Sequence, residues 1–139
     1  YILDIFRGKI LPNDIIQQIF IMVNRWQLNS VAIETIAYQK TLAYSIRDAM
    51  AVRKKYFHIQ EIKSQNRSKD ERIKALQPLY ENNKIFHNKY LTNNFHLEDE
   101  LTRYPRGTHD DIIDSFSFLV DIIYPAKQKV SPMGHRYLY

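Results

Sequence analysis

An α/β fold is predicted by two features of the chain. Short apolar runs alternate with longer stretches of helical period, in the order strand, helix, strand, helix, strand through the first half. The run Ser30 to Thr35 is apolar almost throughout and closes on a carboxylate, as a buried strand of a mostly parallel sheet does.

Taken in order, Tyr1 to Phe6 (Tyr-Ile-Leu-Asp-Ile-Phe) is a β-rich run that stops at Arg7-Gly8, and it predicts a strand. Pro12-Asn13-Asp14 offers an N-cap ahead of Ile15, Ile16, Ile19, Phe20 and Val23, whose spacing predicts a helix ending near Asn24 to Trp26. After the Ser30 strand, Tyr38 to about Tyr56 carries Leu42, Ile46, Ala49 and Met50 at helical spacing. Arg53, Lys54 and Lys55 fall in its last turn, where cations suit the helix dipole. Phe57 to Ile62 is expected to be a further short strand.

From Lys63 to Lys74 the chain turns polar and basic, with Ser68 as the predicted N-cap and Asp70 and Glu71 in the first turn. Leu76 to Asn83 closes this helix through Pro78, and Lys84 to His87 is expected to form an edge strand. His96 to Arg103 places Leu97 and Leu101 four apart, a short helix ending before Pro105. Thr108 is a good N-cap type and is expected to open the last helix, whose buried face is Ile112, Ile113, Phe116, Leu119, Val120 and Ile123. The tail from Pro125 to Tyr139 has no apolar periodicity and is expected to be irregular or to pack on a neighbour. No internal repeat, low-complexity tract or linker interrupts the chain.

At 139 residues, with 45% hydrophobic and 25% charged, the chain has the length and composition of one soluble globular domain rather than a disordered one. No apolar run approaches the length of a membrane span, so no membrane partner is expected. With Tyr rather than Met at position 1 the expectation is a fragment, for which the lack of a signal-like start says little. Cysteine is absent, which excludes disulfides and thiolate metal sites. The net charge of +5 and pI near 9.4 lean toward a polyanionic partner such as nucleic acid.

Two features carry chemistry. The first is Thr108 to Asp114, where His109, Asp110, Asp111 and Asp114 lie on the first two turns of a predicted helix. Asp110 and Asp114 are four apart and Asp111 and Asp114 three apart, so each pair shares a side of the helix. Capping accounts for one first-turn carboxylate; three beside a histidine suggest a metal or catalytic site. The second is Glu34, at the carboxyl end of its strand, where ligand sites collect in open α/β sheets. A local role for Glu34, capping a turn or pairing with a lysine, is the structural alternative. Facing one cleft, Glu34 and the aspartates would offer the oxygen ligands that magnesium or manganese prefers. Two such ions about 4 Å apart activate water and stabilise the leaving oxygen of a phosphodiester.

The order of motifs is also informative. Ala32-Ile33-Glu34 at a strand end precedes Lys69-Asp70-Glu71-Arg72-Ile73 with Leu76 and Pro78. Then come Leu97-Glu98-Asp99-Glu100-Leu101-Thr102-Arg103-Tyr104-Pro105-Arg106-Gly107, His109-Asp110-Asp111 and Asp114-Ser115. The set resembles the C-terminal nuclease domain of the large terminase subunit of tailed bacteriophages, over roughly residues 1–123, with 124–139 as a tail outside it. The resemblance implies an RNase H-like mixed sheet flanked by helices. It also implies a Mg2+- or Mn2+-dependent endonuclease that cuts concatemeric viral DNA during packaging by two-metal hydrolysis. Glu34 matches the family's central-strand ligand. Asp111 is the first choice for the helix ligand, with Asp110 and Asp114 as alternatives, and His109 either orients a ligand or water or packs near Pro105. Implied partners are double-stranded DNA, the small terminase subunit, the portal and the terminase's own ATPase domain. The implied setting is the cytoplasm of a bacterial host, for a phage or prophage protein.

The chain departs from the family at its start. Asp4 is followed by Gly8, a helix and the Glu34 strand, so it matches the last strand of the family's hairpin rather than the aspartate-bearing first strand. The domain is therefore expected to be incomplete at its N-terminus, and no phosphate-binding Gly-Lys-Ser/Thr loop of an ATPase is present. The expectation is a portion of a terminase with doubtful independent activity. Lys63, Arg67, Lys69, Arg72 and Lys74 are the candidate DNA-phosphate contacts, with a solvated charged helix as the alternative. Other RNase H-like nucleases, such as resolvases and transposases, and a non-catalytic DNA-binding or packaging-docking module are the competing classes.

Overall fold

Apolar spacing and local capping account for most of the elements in the computed structural model, which describes residues 1–34, 39–63, 67–91 and 93–123. Helix α1, Pro12–Trp26, starts one residue earlier than the Asn13-Asp14 signal suggests. Leu11 is the N-cap and accepts from the Asp14 and Ile15 N–H groups, while Pro12 takes the first helical position, where its missing donor costs nothing. The helix stops as Gln27 turns left-handed, at φ 49°. Strand β1, Ser30–Glu34, follows. Helix α2, Gln39–Arg53, then ends at Lys54 in the same left-handed conformation, and strand β2, His58–Ile62, completes the unit.

The two strands pair in parallel, Ser30 opposite His58 and Glu34 opposite Ile62, with α2 as the intervening helix. This β-α-β unit and α1 enclose one core cluster, built on Phe20, Ile33, Ile46 and Met50. The predicted α/β class is thus observed, with a two-stranded parallel sheet among the described residues.

The second half is helical. Helix α3, Lys69–Lys74, is capped by Ser68 as expected, and the cap is a capping box: the Ser68 hydroxyl accepts from the Glu71 N–H, and the Glu71 carboxylate accepts from the Ser68 N–H. Helix α4, Gln77–Glu81, contains Pro78 in its first turn. Helices α5, Asn94–Arg103, and α6, Asp111–Ile123, are joined through a cis Tyr104-Pro105 peptide bond and a turn at Gly107. A Cβ on Gly107 would lie 3.3 Å from the His109 carbonyl oxygen, so only glycine fits there without displacement. Ile73, Leu97, Ile112 and Ile113 form a second core cluster, with Ile2, Ile5, Leu101, Tyr104 and Phe116 packed on it.

Two expected strands are reduced to a single bridge. Ile2 pairs with His87 in parallel, and the Ile2 N–H bonds the Phe86 carbonyl, but no ladder extends over Tyr1 to Phe6 or Lys84 to His87. Side chains take the place of a neighbouring strand. Asp4 accepts from the Ile5 N–H at 2.9 Å, and the Asn93 amide donates to the Ile5 carbonyl at 2.7 Å. Asp4 also receives Arg25 and Trp26 of α1, and so ties the N-terminal segment to the first half of the fold. The start of the last helix is a further correction: α6 begins at Asp111 rather than near Thr108, because Glu100 supplies a cap from α5. Among the described residues, no helix is long and apolar enough to cross a membrane. The expectation for the tail, residues 125–139, lies outside the described residues.

Candidate functional site

Carboxylates and cations from α3, α5, α6 and the N-terminal segment meet at the start of α6. Helix α6 is seated by its apolar face, with Ile113 fully buried and Ile112 beside it. Its free N–H groups need acceptors, since the first turn of a helix has none of its own. Glu100 provides them: its Oε2 accepts from the Ile112 N–H at 2.8 Å and from the Ile113 N–H at 3.0 Å. The Asp114 N–H closes the first turn on the Asp110 carbonyl. Asp110, Asp111 and Asp114 are therefore held on a helix end whose dipole favours negative charge.

Each of these aspartates faces a cation. Lys69, the first residue of α3, places its Nζ 2.7 Å from Asp110 Oδ1 and 3.4 Å from Asp114 Oδ2. Arg72, one turn further along α3, donates through Nη2 to Asp114 Oδ1 at 2.6 Å. Arg7 lies between the other two carboxylates, 3.7 Å from Glu100 Oε1 and 3.8 Å from Asp111 Oδ2. Burial of the Lys69 ammonium works against its charge, but the hydrogen bond it donates to Asp110 and the fields of Asp114 and Asp110 outweigh that, holding its pKa above the ordinary lysine value. Both Lys69 and Asp110 are more than a third exposed, so this pair contributes no more than about 1 kcal/mol. Arg72 differs, because it is buried and its guanidinium carbon lies 4.3 Å from the centre of the Phe118 ring.

The expected site residues separate into two places. Asp110 and Asp114 converge on one cationic atom, Asp111 stands exposed on the Arg7 side, and His109 is exposed just before them. Glu34 ends β1, half-buried and in register with Ile62. Among the described residues no three His, Asp or Glu side chains are grouped to hold a metal ion, so Glu34 and the α6 aspartates do not form one three-ligand set. The chemistry of the donors at α6 nonetheless fits one hard cation. Magnesium is commonly bound through one or two carboxylates with water completing its shell, and Asp110 and Asp114 direct two oxygens at a single position.

The basic run of α3 is largely engaged. Lys69 and Arg72 face α6, and Lys74 pairs with Asp70 at 2.6 Å. Arg72, one of the candidate phosphate contacts, is buried against Phe118 and forms part of the α3–α6 contact. Its Nη1 also reaches the Arg67 carbonyl at 3.3 Å, and Lys63 is exposed at the end of β2. Asp4 has a structural role, bonded to Arg25, Trp26 and the Ile5 N–H.

Glu100 and Arg7 are the residues that sequence reasoning did not single out. Glu100 is a carboxylate at an apolar-period position of α5, three residues after Leu97, which is the signal that it would be buried. Arg7 carries no comparable signal. Comparison with family models, with curated proteins and with solved structures found no match.

Proposed function

We propose that this chain is the nuclease domain of a tailed-phage terminase large subunit, with an RNase H-like fold, that hydrolyses DNA phosphodiesters with magnesium or manganese. The observation that supports it is the convergence of Asp110 and Asp114 on one cation-sized position at the start of α6, where the ordered motifs predict helix-borne ligands. In this reading Asp110 and Asp114 hold an ion, and Arg72 fixes Asp114 so that its second oxygen stays turned to that ion. Asp111 and Glu34 are the remaining ligand candidates, and His109 orients water or a ligand at the mouth of the site. The bound metal supplies Lewis acidity toward the phosphate and lowers the pKa of the attacking water. Lys63, Arg67 and Lys74 contribute phosphate contacts that carry no base specificity, so cutting is expected to be weakly sequence-selective. Double-stranded DNA is the substrate, and the ATPase domain, small subunit and portal are the partners of the full assembly.

The test is manganese-dependent nicking of a supercoiled plasmid by the chain and by Glu34→Ala, Asp111→Ala and Asp114→Ala. Nicking that survives unchanged in all three variants would sink the assignment.

A second reading is a DNA-binding or packaging-docking module without catalysis. The engagement of the α6 carboxylates by Lys69, Arg72 and Arg7 favours it, because these ion pairs give the carboxylates a structural role in linking α3, α6 and the N-terminal segment. Intact plasmid after incubation with metal, together with DNA binding that weakens steeply with salt, distinguishes it from the first.

A further inference from the structure

Aromatic side chains stand on the outside of the segment that leads into α5. From Lys84 to Leu97 the aliphatic residues Ile85, Leu91 and Leu97 are buried or half-buried. Phe86, Tyr90 and Phe95 are instead 46%, 81% and 72% exposed. Apolar burial alone favours the opposite arrangement, since a ring has more surface to remove from water than an aliphatic side chain. A single exposed apolar residue is ordinary on a protein surface, whereas a group of them marks an interaction site. The chain itself keeps this group together: Tyr90 lies within about 14 Å of Phe86 and about 18 Å of Phe95, the limits of a fully extended backbone. Tyr1 adds a fourth ring, 89% exposed, stacked on Phe86 with centroids 5.0 Å apart and planes 21° from parallel.

The rings are carried on a backbone that is fixed. The Ile2 N–H donates to the Phe86 carbonyl at 2.9 Å, which seats Tyr1 beside Phe86. Two successive turns then separate Phe86 from Phe95, closed by the Leu91 N–H on the Asn88 carbonyl at 3.0 Å and the Asn94 N–H on the Leu91 carbonyl at 3.1 Å. The Asn88 side chain accepts from the Tyr90 N–H at 3.0 Å. Rings presented in this way lose little freedom when a flat ligand stacks on them.

The patch is basic as well as aromatic. Residues 82–97 contain no Asp or Glu, and Lys84, Lys89 and His96 are exposed there. The Lys89 ammonium lies 5.0 Å from the centre of the Tyr90 ring. The flanking carboxylates are turned to other groups: Glu81 accepts from Gln77 at 2.7 Å, and Glu98 accepts from Asn94 at 2.6 Å and stands 3.4 Å from His87. Flat faces beside cations, with the aliphatic side chains turned inward, match a ligand made of planar bases on an anionic backbone.

We propose that Tyr1, Phe86, Tyr90 and Phe95, with Lys84 and Lys89, form a binding surface for single-stranded nucleic acid. Unpaired bases stack on the rings and the two lysines take the phosphates. In a duplex the base faces are stacked on one another, so the surface favours unpaired strand over duplex. Every base has such a face, so the preference among sequences is weak. The surface lies outside the α6 site and does not depend on the nuclease reading, because stacking and phosphate contacts need no metal.

The experiment measures fluorescence anisotropy of a short labelled oligothymidylate, and of a duplex of the same length, with the whole chain and a chelator present so that no cleavage intervenes. Tyr90→Ala and Phe95→Ala are each expected to weaken oligothymidylate binding about fivefold or more, with a smaller loss on duplex. Tyr90→Phe keeps the ring and is expected to bind like the wild type. Lys89→Gln is expected to lower the slope of log affinity against log salt by about 0.7. All four side chains are exposed, and circular dichroism checks that the variants keep the fold. Oligothymidylate binding that is absent in the wild type, or unchanged in both alanine variants, overturns the proposal. Equal losses on oligothymidylate and duplex overturn base stacking. Self-association of the wild type in sedimentation, abolished by the same substitutions and without oligothymidylate binding, overturns it in favour of a second copy of the chain. Plasmid nicking with manganese is a separate measurement, so the nuclease reading stands or falls independently of these outcomes.

Discussion

Arg72 and Asp114 join α3 to α6 through a 2.6 Å ion pair whose guanidinium is buried over the Phe118 ring. The Arg72 Nε has no hydrogen-bond partner among the described residues, so the pair and the aromatic face carry the favourable side of its burial. Asp114 is a quarter exposed, which reduces the cost of leaving it unpaired.

Replacing Arg72 with Met is expected to destabilise the fold by about 2–3 kcal/mol, below the ~3–5 kcal/mol of a wholly buried pair because Asp114 still reaches water. Arg72→Lys is expected to recover little, since an ammonium cannot reproduce the contact of the broad guanidinium with the Phe118 ring. Urea unfolding of the two variants beside the wild type checks both statements. Equal stability of Arg72→Lys and wild type would show that the charge alone matters.

Glu100 satisfies two backbone donors at once, and no residue within α6 replaces it. Truncating it to alanine is expected to cost about 2–4 kcal/mol, from two buried N–H groups losing a charged acceptor. Glu100→Gln keeps an amide oxygen in the same place and is expected to cost less than half as much. The denaturation midpoint should fall in that order with an unchanged slope, the sign that stability rather than the unfolded state has moved.

Ser68 and Glu71 act locally, within one turn of each other. Ser68→Ala is expected to cost about 1 kcal/mol by removing half of the capping box. Amide hydrogen exchange should report it as faster exchange at Glu71, whose N–H the Ser68 hydroxyl accepts. Unaltered exchange there would mean that the first turn does not depend on the cap.

Asp4 gives the fold a pH dependence. Partial burial raises the pKa of its carboxyl, but hydrogen bonds from Trp26, Arg25 and the Ile5 N–H outweigh that and hold it below the ordinary 3.8. A depressed folded-state pKa means the contribution is complete above 3.8 and is lost as the pH falls through the folded value. Asp4→Asn is therefore expected to be less stable than the wild type at neutral pH, with the difference shrinking as the pH is taken below 3.8. Parallel stability curves for the two proteins down to that acidity would exclude the mechanism.

Much of the first half was legible because its signals are local. The apolar spacing of Ile16, Ile19, Phe20 and Val23 and the run Ser30 to Glu34 state their own conformations, and the strand–helix–strand order implies a parallel pair. Tyr1 to Phe6 misled for the same reason. Its β-rich residues record a preference, while the Ile5 backbone is satisfied by Asp4 next to it and by Asn93 from far along the chain.

The sequence by itself determined the α/β class, the N-cap at Ser68 and the concentration of acid at the start of α6, because periodicity, capping and helix polarity act within a turn or two. Only the tertiary structure decided what that acid faces. Lys69, Arg72, Arg7 and Glu100 reach it from three other segments, and their positions follow from how α3 and α5 pack against the apolar face of α6. The choice between one shared metal position and a row of ion pairs lies in that packing, since charges many residues apart interact only when the core brings them within a few ångströms.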